Sequence, residues 1–206
     1  MSKPKLYGMA SSRAFRSIWA AEEIGLDYDH VGTSFQADSK TPEYLAVNPN
    51  GRIPALDDDG FKLFESMAIN MYLGEKYNAE ILSSDLTSKA QTWQWSVWGI
   101  SEIEPLQMQI VIQKLFMPED KRDAKVIASA TKGLARPLGV LNASLADHSY
   151  LLGDEFSLAD LNLAGVMDLF TMIQFDVSDW PNVERWLELC RSRPSYGAAK
   201  AVGTQA

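Results

Sequence analysis

The sequence predicts an α/β domain of strand and helix order βαβαββα, followed by an all-helical domain. Three observations carry this. Short apolar segments alternate with helically spaced ones over roughly the first 80 residues, Asp57-Asp58-Asp59-Gly60 joins two apolar segments as a hairpin turn, and strand-like segments cease beyond that point.

Residues 5–9 read as a short strand, and Ser11 or Ser12 then precedes a helix with apolar positions at Phe15, Ile18, Trp19 and Ala21. Gly25 ends that helix, and residues 28–31 form a second strand. Thr41-Pro42 opens a short helix that stops before the turn Asn48-Pro49-Asn50-Gly51. Residues 53–56 and 61–64 are the arms of the Asp-Gly hairpin. Helical spacing returns over residues 65–77 through Ile69, Tyr72, Leu73 and Tyr77. Further helices are expected over residues 87–115, 120–146, 157–174 and 181–192, punctuated by Pro118, Gly153 and Pro181. The change of class near Ser83-Ser84-Asp85 sets two domains, 1–81 and 87–206.

With 206 residues, 46% of them hydrophobic and 22% charged, the chain has ample material for a folded core. A net charge of −8 and the lack of a lysine- and arginine-rich stripe argue against nucleic acid as a partner. The single cysteine, Cys190, cannot form an intramolecular disulfide or a multi-thiol metal site. No apolar run approaches the roughly 18 residues needed to span a membrane, and no signal-like segment is present at the start. A cytoplasmic protein without a metal is the expectation. His30 and His148 stand far apart in sequence and read as surface or turn residues.

The segment Asn48-Pro49-Asn50-Gly51-Arg52-Ile53-Pro54-Ala55-Leu56 carries the most chemistry. A proline entering a strand lacks an N–H for the ladder and belongs at an edge. A cis Ile53–Pro54 bond would turn the Ile53 N–H and C=O outward, toward an extended peptide ligand. Glu65-Ser66 then opens a helix whose N-terminal N–H groups favour a carboxylate, while the Glu65 carboxylate suits an ammonium. Together they fit the head of an α-amino acid, although either residue can also serve as a helix cap. Ser157-Leu158-Ala159-Asp160 is a capping box with Phe156 and Leu161 as a hydrophobic staple, which makes Asp160 structural.

The order Ser11, then Asn-Pro-Asn-Gly-Arg-Ile-Pro-Ala-Leu, then Glu-Ser-Met-Ala-Ile resembles the glutathione transferase family over nearly the whole chain. The resemblance implies a thioredoxin-like domain docked on a helical one. It implies Pro54 as a cis-proline, Ile53 pairing through its backbone with the cysteinyl part of glutathione, and Glu65 with Ser66 holding the γ-glutamyl group. Arg52 and Lys40 neighbour the glycyl carboxylate. A homodimer and a hydrophobic electrophilic co-substrate are implied as well, with Trp93, Trp95 and Trp98 placed either in the core or near the electrophile.

A free thiol has a pKa near 8.5, so only about 3% is ionised at pH 7, and the thiolate is the nucleophile. A hydroxyl donor after the first strand can lower that pKa. Counting back from Gly25, Ser11 takes the place of the catalytic serine of the theta, zeta and tau classes; aligning on Arg16 moves the match to Ser12. Tyr7 falls where the alpha, mu and pi classes carry a catalytic tyrosine. No cysteine occurs between Tyr7 and Phe15, which sets aside the omega and beta chemistry. Arg13 and Arg16 are either surface arginines or a local offset to the negative charge.

The function these residues imply is glutathione conjugation to electrophiles, with peroxide reduction as a related activity. The alternatives are a non-catalytic transferase-like interaction or regulatory module, and a dedicated glutathione-dependent isomerase. The Ser11-Ser12-Arg13 segment lacks the Ser-Ser-Cys pattern of zeta-like isomerases.

Overall fold

The computed structural model describes residues 2–77 and 79–203. The chain forms two compact units, one comprising the residues up to Ser84 together with those from Arg191 onward, the other Asp85–Cys190.

The first unit is built on a four-stranded sheet of order β2-β1-β3-β4, from β1 (Lys5–Tyr7), β2 (Asp29–Val31), β3 (Ala55–Asp58) and β4 (Phe61–Phe64). β1 and β2 are parallel and therefore need a crossover, which α1 (Phe15–Glu23) provides. Gly25 ends α1 at φ +64, with Leu26 N–H donating to Ala21 O at 2.9 Å, a left-handed close that glycine adopts without a Cβ clash. α2 (Pro42–Leu45) starts under a Thr41 cap, whose hydroxyl accepts from Tyr44 N–H at 3.3 Å. β3 and β4 are antiparallel with Asp58 opposite Phe61, which leaves Asp59-Gly60 as a two-residue turn. Both turn residues have positive φ, 54 and 89, as a turn matched to strand twist requires. The first strand stops at Tyr7 rather than residue 9, because Gly8 at φ +135 leaves the extended conformation.

The sheet buries both faces. Leu6, Leu56, Ala21, Ile69 and Leu73 form the core between sheet, α1 and α3 (Ser66–Lys76). On the opposite face Ala55 meets Tyr44 and Val47, with Tyr7 and Ile53 against them. Each large apolar side chain removed from water contributes about 1.5–3 kcal/mol.

The final helix, α10 (Pro194–Ala201 of the full chain), packs on α1 in this same unit. Arg193 grips the Glu23 carboxylate through two nitrogens, Ser195 donates to it, and Trp19 Nε1–H donates to Ser195 Oγ at 3.0 Å. Tyr196 lies edge-on to Phe15 and Trp19, with centroids 5.4 and 5.2 Å away. The sequence division at 87–206 counts these residues with the helical half; their partners are some 170 residues distant, beyond the reach of local pattern.

The second unit is helical, with α4 (Leu86–Trp98), α5 (Glu104–Val111), α6 (Ala124–Ser144), α7 (Leu158–Met167), α8 (Leu169–Ile173) and α9 (Pro181–Arg191, whose last residue groups with the first unit). The expected helix over 87–115 is continuous but locally widened, with π-helical turns at Gly99–Ile103 and Ile112–Phe116. Every residue of α7 is buried, which makes it the central helix of this unit. Asp160 starts it: one carboxylate oxygen accepts from Ser157 N–H at 3.0 Å and Ser157 Oγ–H at 2.6 Å, the other from Leu151 N–H and Trp186 Nε1–H, both at 2.8 Å. Trp95 is buried edge-on to Trp98, Trp93 is exposed, and Cys190 is buried. No helix among the described residues is long and apolar enough to cross a membrane.

Candidate active site

Strand register collects the candidate residues. Val31, Tyr7, Ala55 and Phe64 form one row across the sheet. Chain leaving β1 beyond that row carries Gly8 to Ser12, chain entering β3 carries Arg52, Ile53 and Pro54, and chain leaving β4 carries Glu65 and Ser66. Lys40 reaches the same edge, its ammonium donating to Gly51 O. All nine residues singled out from the sequence therefore lie in or beyond the same end of the sheet, with Tyr7 in the row itself.

The two serines have different employment. Ser12 Oγ–H donates to Met9 O at 2.7 Å and Ser12 Oγ accepts from Ala14 N–H at 3.1 Å, so this hydroxyl closes the turn into α1. Ser11 is exposed, and its hydroxyl makes no hydrogen bond among the described residues. Tyr7 is half-buried and lies edge-on to Tyr44, centroids 5.7 Å apart, in the cluster with Val47 and Ala55. Burial, assisted by the charge of Asp57, pushes the Tyr7 phenol above its ordinary pKa.

The Ile53–Pro54 bond is cis. Among the described residues neither the N–H nor the C=O of Ile53 has a hydrogen-bond partner. The preceding carbonyl, that of Arg52, is doubly held: Tyr44 Oη–H donates to it at 2.5 Å and Asn48 Nδ2–H at 2.6 Å. Asn48 also shapes the turn, its Oδ1 accepting from Asn50 N–H at 3.0 Å and Asn50 Nδ2–H at 3.1 Å. The Arg52 side chain is exposed.

Glu65 is exposed at φ 74 and ψ 115, a region that costs a non-glycine residue about 1–3 kcal/mol. It precedes α3 without capping it through its side chain. Ile69 N–H donates to Glu65 O at 2.9 Å, which leaves the N–H groups of Ser66, Met67 and Ala68 outside the helical ladder. Together with the helix dipole they make an anion-binding end, with the Glu65 carboxylate beside it as an acceptor for a cation. The edge thus presents, in order, a free hydroxyl, an unpaired strand-like backbone, an anion-binding helix end with a carboxylate, and two cationic side chains. That set is complementary to an extended peptide with a charged amino-acid head and a second carboxylate.

Sequence reasoning missed two supports of this edge. Gly8 has no room for a side chain, since a Cβ there would lie 2.3 Å from Ala14 Cβ. His30, expected as a surface or turn residue, is half-buried with Nε2 2.8 Å from Gly8 O. Arg16, which could have been a surface arginine, is 2% exposed. The Asn48 and Tyr44 anchors were in principle legible, as polar groups flanking a proline turn. No group of His, Cys, Asp or Glu among the described residues is arranged to hold a metal ion.

Residues 2–75 match the glutathione S-transferase N-terminal domain and residues 103–194 the C-terminal domain. Glutathione S-transferase 3 of Zea mays is 36% identical over 208 residues, spanning 95% of this chain and 92% of that protein. Among solved structures, a glutathione S-transferase-I bound with lactoylglutathione is 33% identical with a TM-score of 0.87, covering 97% of this chain and 99% of that one. Glutathione transferase F7 of Populus trichocarpa is 31% identical with a TM-score of 0.86, covering 95% and 97%. The chain belongs to the glutathione S-transferase family.

Proposed function

We propose that this chain binds glutathione along the described edge, that the Ser11 hydroxyl donates to the bound thiolate, and that the thiolate attacks an electrophilic carbon of a hydrophobic small molecule, whose leaving group departs with the bonding pair, or an oxygen of a peroxide, whose O–O bond breaks and whose sulfenic product a second glutathione converts to disulfide and water. The observation that carries the assignment is the difference between the serines: the Ser12 hydroxyl is committed to Met9 O and Ala14 N–H, whereas that of Ser11 is exposed and uncommitted. Tyr7, ring packed on Tyr44, is a wall rather than a donor in this reading.

Glutathione has a charge at each end and a dipeptide-like middle. The γ-glutamyl carboxylate is received by the N–H groups at the start of α3 and by Ser66, and its ammonium by Glu65. The cysteinyl backbone pairs with Ile53, and the glycyl carboxylate faces Lys40 and Arg52. With the tripeptide held at three points, the thiol meets Ser11 without further loss of orientational freedom. A shift of about 2 units in thiol pKa needs about 2.7 kcal/mol, within the range of one hydrogen bond to a charged sulfur in a preorganised site.

The maize and poplar relatives support a place beside the plant phi-class transferases rather than the theta, zeta or tau classes. A homodimer in the cytoplasm completes the reading. Turnover of an aryl halide with glutathione at pH 7 tests it: Ser11→Ala should lower kcat by about 25-fold, because a rise of about 2 units in thiol pKa from about 6.5 cuts the thiolate fraction from about 76% to about 3%, with Ser12→Ala and Tyr7→Phe far milder. A dominant loss in Ser12→Ala or Tyr7→Phe would reassign the donor. Absence of glutathione binding in the wild type would favour an interaction module.

A further inference from the structure

His30 stands on β2 opposite Leu6 in the parallel ladder, one residue before Val31, and its Nε2 lies 2.8 Å from the carbonyl oxygen of Gly8. A carbonyl oxygen only accepts, so Nε2 carries the proton and the imidazole donates. The Gly8 N–H in turn donates to Val31 O at 3.1 Å. Both backbone polar groups of Gly8 are thereby tied to β2, one through the strand backbone and the other through the His30 side chain.

Gly8 is the pivot between the two halves of the candidate site. At φ +135 it turns the chain out of β1, and a Cβ placed on it would lie 2.3 Å from Ala14 Cβ and 3.4 Å from Ile53 Cβ. On one side it therefore abuts the start of α1, and on the other the residue whose backbone faces the ligand. Only Met9 and Ala10 separate Gly8 from Ser11, and the Met9 carbonyl is held by both the N–H and the hydroxyl of Ser12, at 2.9 and 2.7 Å. Little freedom remains between the Gly8 carbonyl and the Ser11 hydroxyl. The imidazole is itself confined: Gly203 has φ +72, and a Cβ there would come within 3.0 Å of His30 Cε1 and 3.5 Å of Nδ1.

We propose that His30 is a positioning residue for thiol activation: by holding the Gly8 carbonyl it sets the distance between the Ser11 hydroxyl and the Ile53 backbone, which must meet the same cysteinyl residue of glutathione. The inference rests on the roles given to Ser11 and Ile53 above. A hydrogen bond to a thiolate weakens steeply with misplacement, so loss of the His30 anchor acts on thiol ionisation more than on capture of the tripeptide, whose two ends are held elsewhere.

The test compares the full-length wild type with His30→Leu, which fills similar space without a donor, His30→Gln, whose amide can still donate, and Ser11→Ala. Thiolate absorbance of bound glutathione gives the thiol pKa, and steady-state turnover gives kcat and KM. His30→Leu should raise the bound thiol pKa by about one unit and, at pH 7, lower kcat about threefold through the smaller thiolate fraction, with the KM for glutathione nearly unchanged, and His30→Gln should recover most of both. A wild-type thiol pKa and kcat in His30→Leu, with Ser11→Ala shifted, would overturn the role of His30 alone. Equal thiol pKa values in Ser11→Ala and wild type would overturn the Ser11 reading and this inference with it. Equal impairment of His30→Leu and His30→Gln through KM, with the pKa unmoved, would also overturn it.

Discussion

The phenol of Tyr44 donates a 2.5 Å hydrogen bond to the carbonyl oxygen of Arg52, reaching from α2 to the residue before Ile53. Burial is the main cause that pushes this phenol up to about 12; the Asn48 hydrogen bond opposes the rise and the neighbouring Tyr7 adds to it. The unfolded phenol ionises near pH 10, so folding retains the proton between that pH and about 12. The stability Tyr44 contributes is complete below pH 10 and declines by about 1.4 kcal/mol per pH unit across that window. Tyr44→Phe should cost about 1 kcal/mol at neutral pH and should flatten the alkaline decline relative to wild type. Urea unfolding of both proteins at neutral pH and at about pH 11 checks both statements; parallel alkaline declines would disprove the second.

Glu65 is held at φ 74 although its side chain is exposed and caps nothing. Glycine adopts such backbone angles without steric cost, so Glu65→Gly should keep or raise thermal stability, by up to about 1–2 kcal/mol. The same change should weaken glutathione binding by about tenfold or more through loss of the carboxylate opposite the ligand ammonium. Calorimetric titration beside a melting curve separates the two effects, and a variant that loses stability while binding normally would contradict both.

Gly8→Ala places a methyl carbon 2.3 Å from Ala14 Cβ at a φ of +135. Neither backbone nor helix start can move far, because both backbone polar groups of Gly8 are bonded to β2. A loss of about 2–4 kcal/mol is expected from overpacking plus backbone strain, read from denaturant midpoints. A wild-type midpoint would show that the β1 end is not the tight pivot described.

In the helical unit, Asp160 is fully buried and accepts from Ser157, Leu151 and Trp186. Burial pushes its carboxyl above the ordinary range, and the hydrogen bonds from Ser157, Leu151 and Trp186 pull it back. Asp160→Ala orphans the Leu151 N–H and the Trp186 indole N–H, each at about 1–3 kcal/mol, in addition to the lost cap. A loss of at least about 3 kcal/mol in equilibrium unfolding is expected, and a loss below 1 kcal/mol would contradict the packing described.

Much of this was legible because the signals are local. The Asp59-Gly60 turn, the Ser157–Asp160 box and the Gly25 helix end each place their residues within five positions of one another, and each formed as its chemistry requires. The gathering of Ile53, Glu65 and Ser66 at one sheet end followed from the hairpin register. Other features depend on distant partners. Nothing local to Arg193 points to its partner, Glu23, which lies 170 positions away. His30 reads as a surface or turn residue until the parallel register brings Gly8 alongside. Ser11 and Ser12 are indistinguishable by spacing, and only the direction of the Ser12 hydroxyl toward Met9 O separates them.

The thiol pKa of glutathione bound to Ser11→Ala is the most direct measurement. A pKa near 6.5 in wild type, rising by about 2 units toward that of the free thiol in Ser11→Ala and staying low in Ser12→Ala, is the expected result. A pKa that stays low in Ser11→Ala would remove Ser11 from thiol activation and contradict the site described.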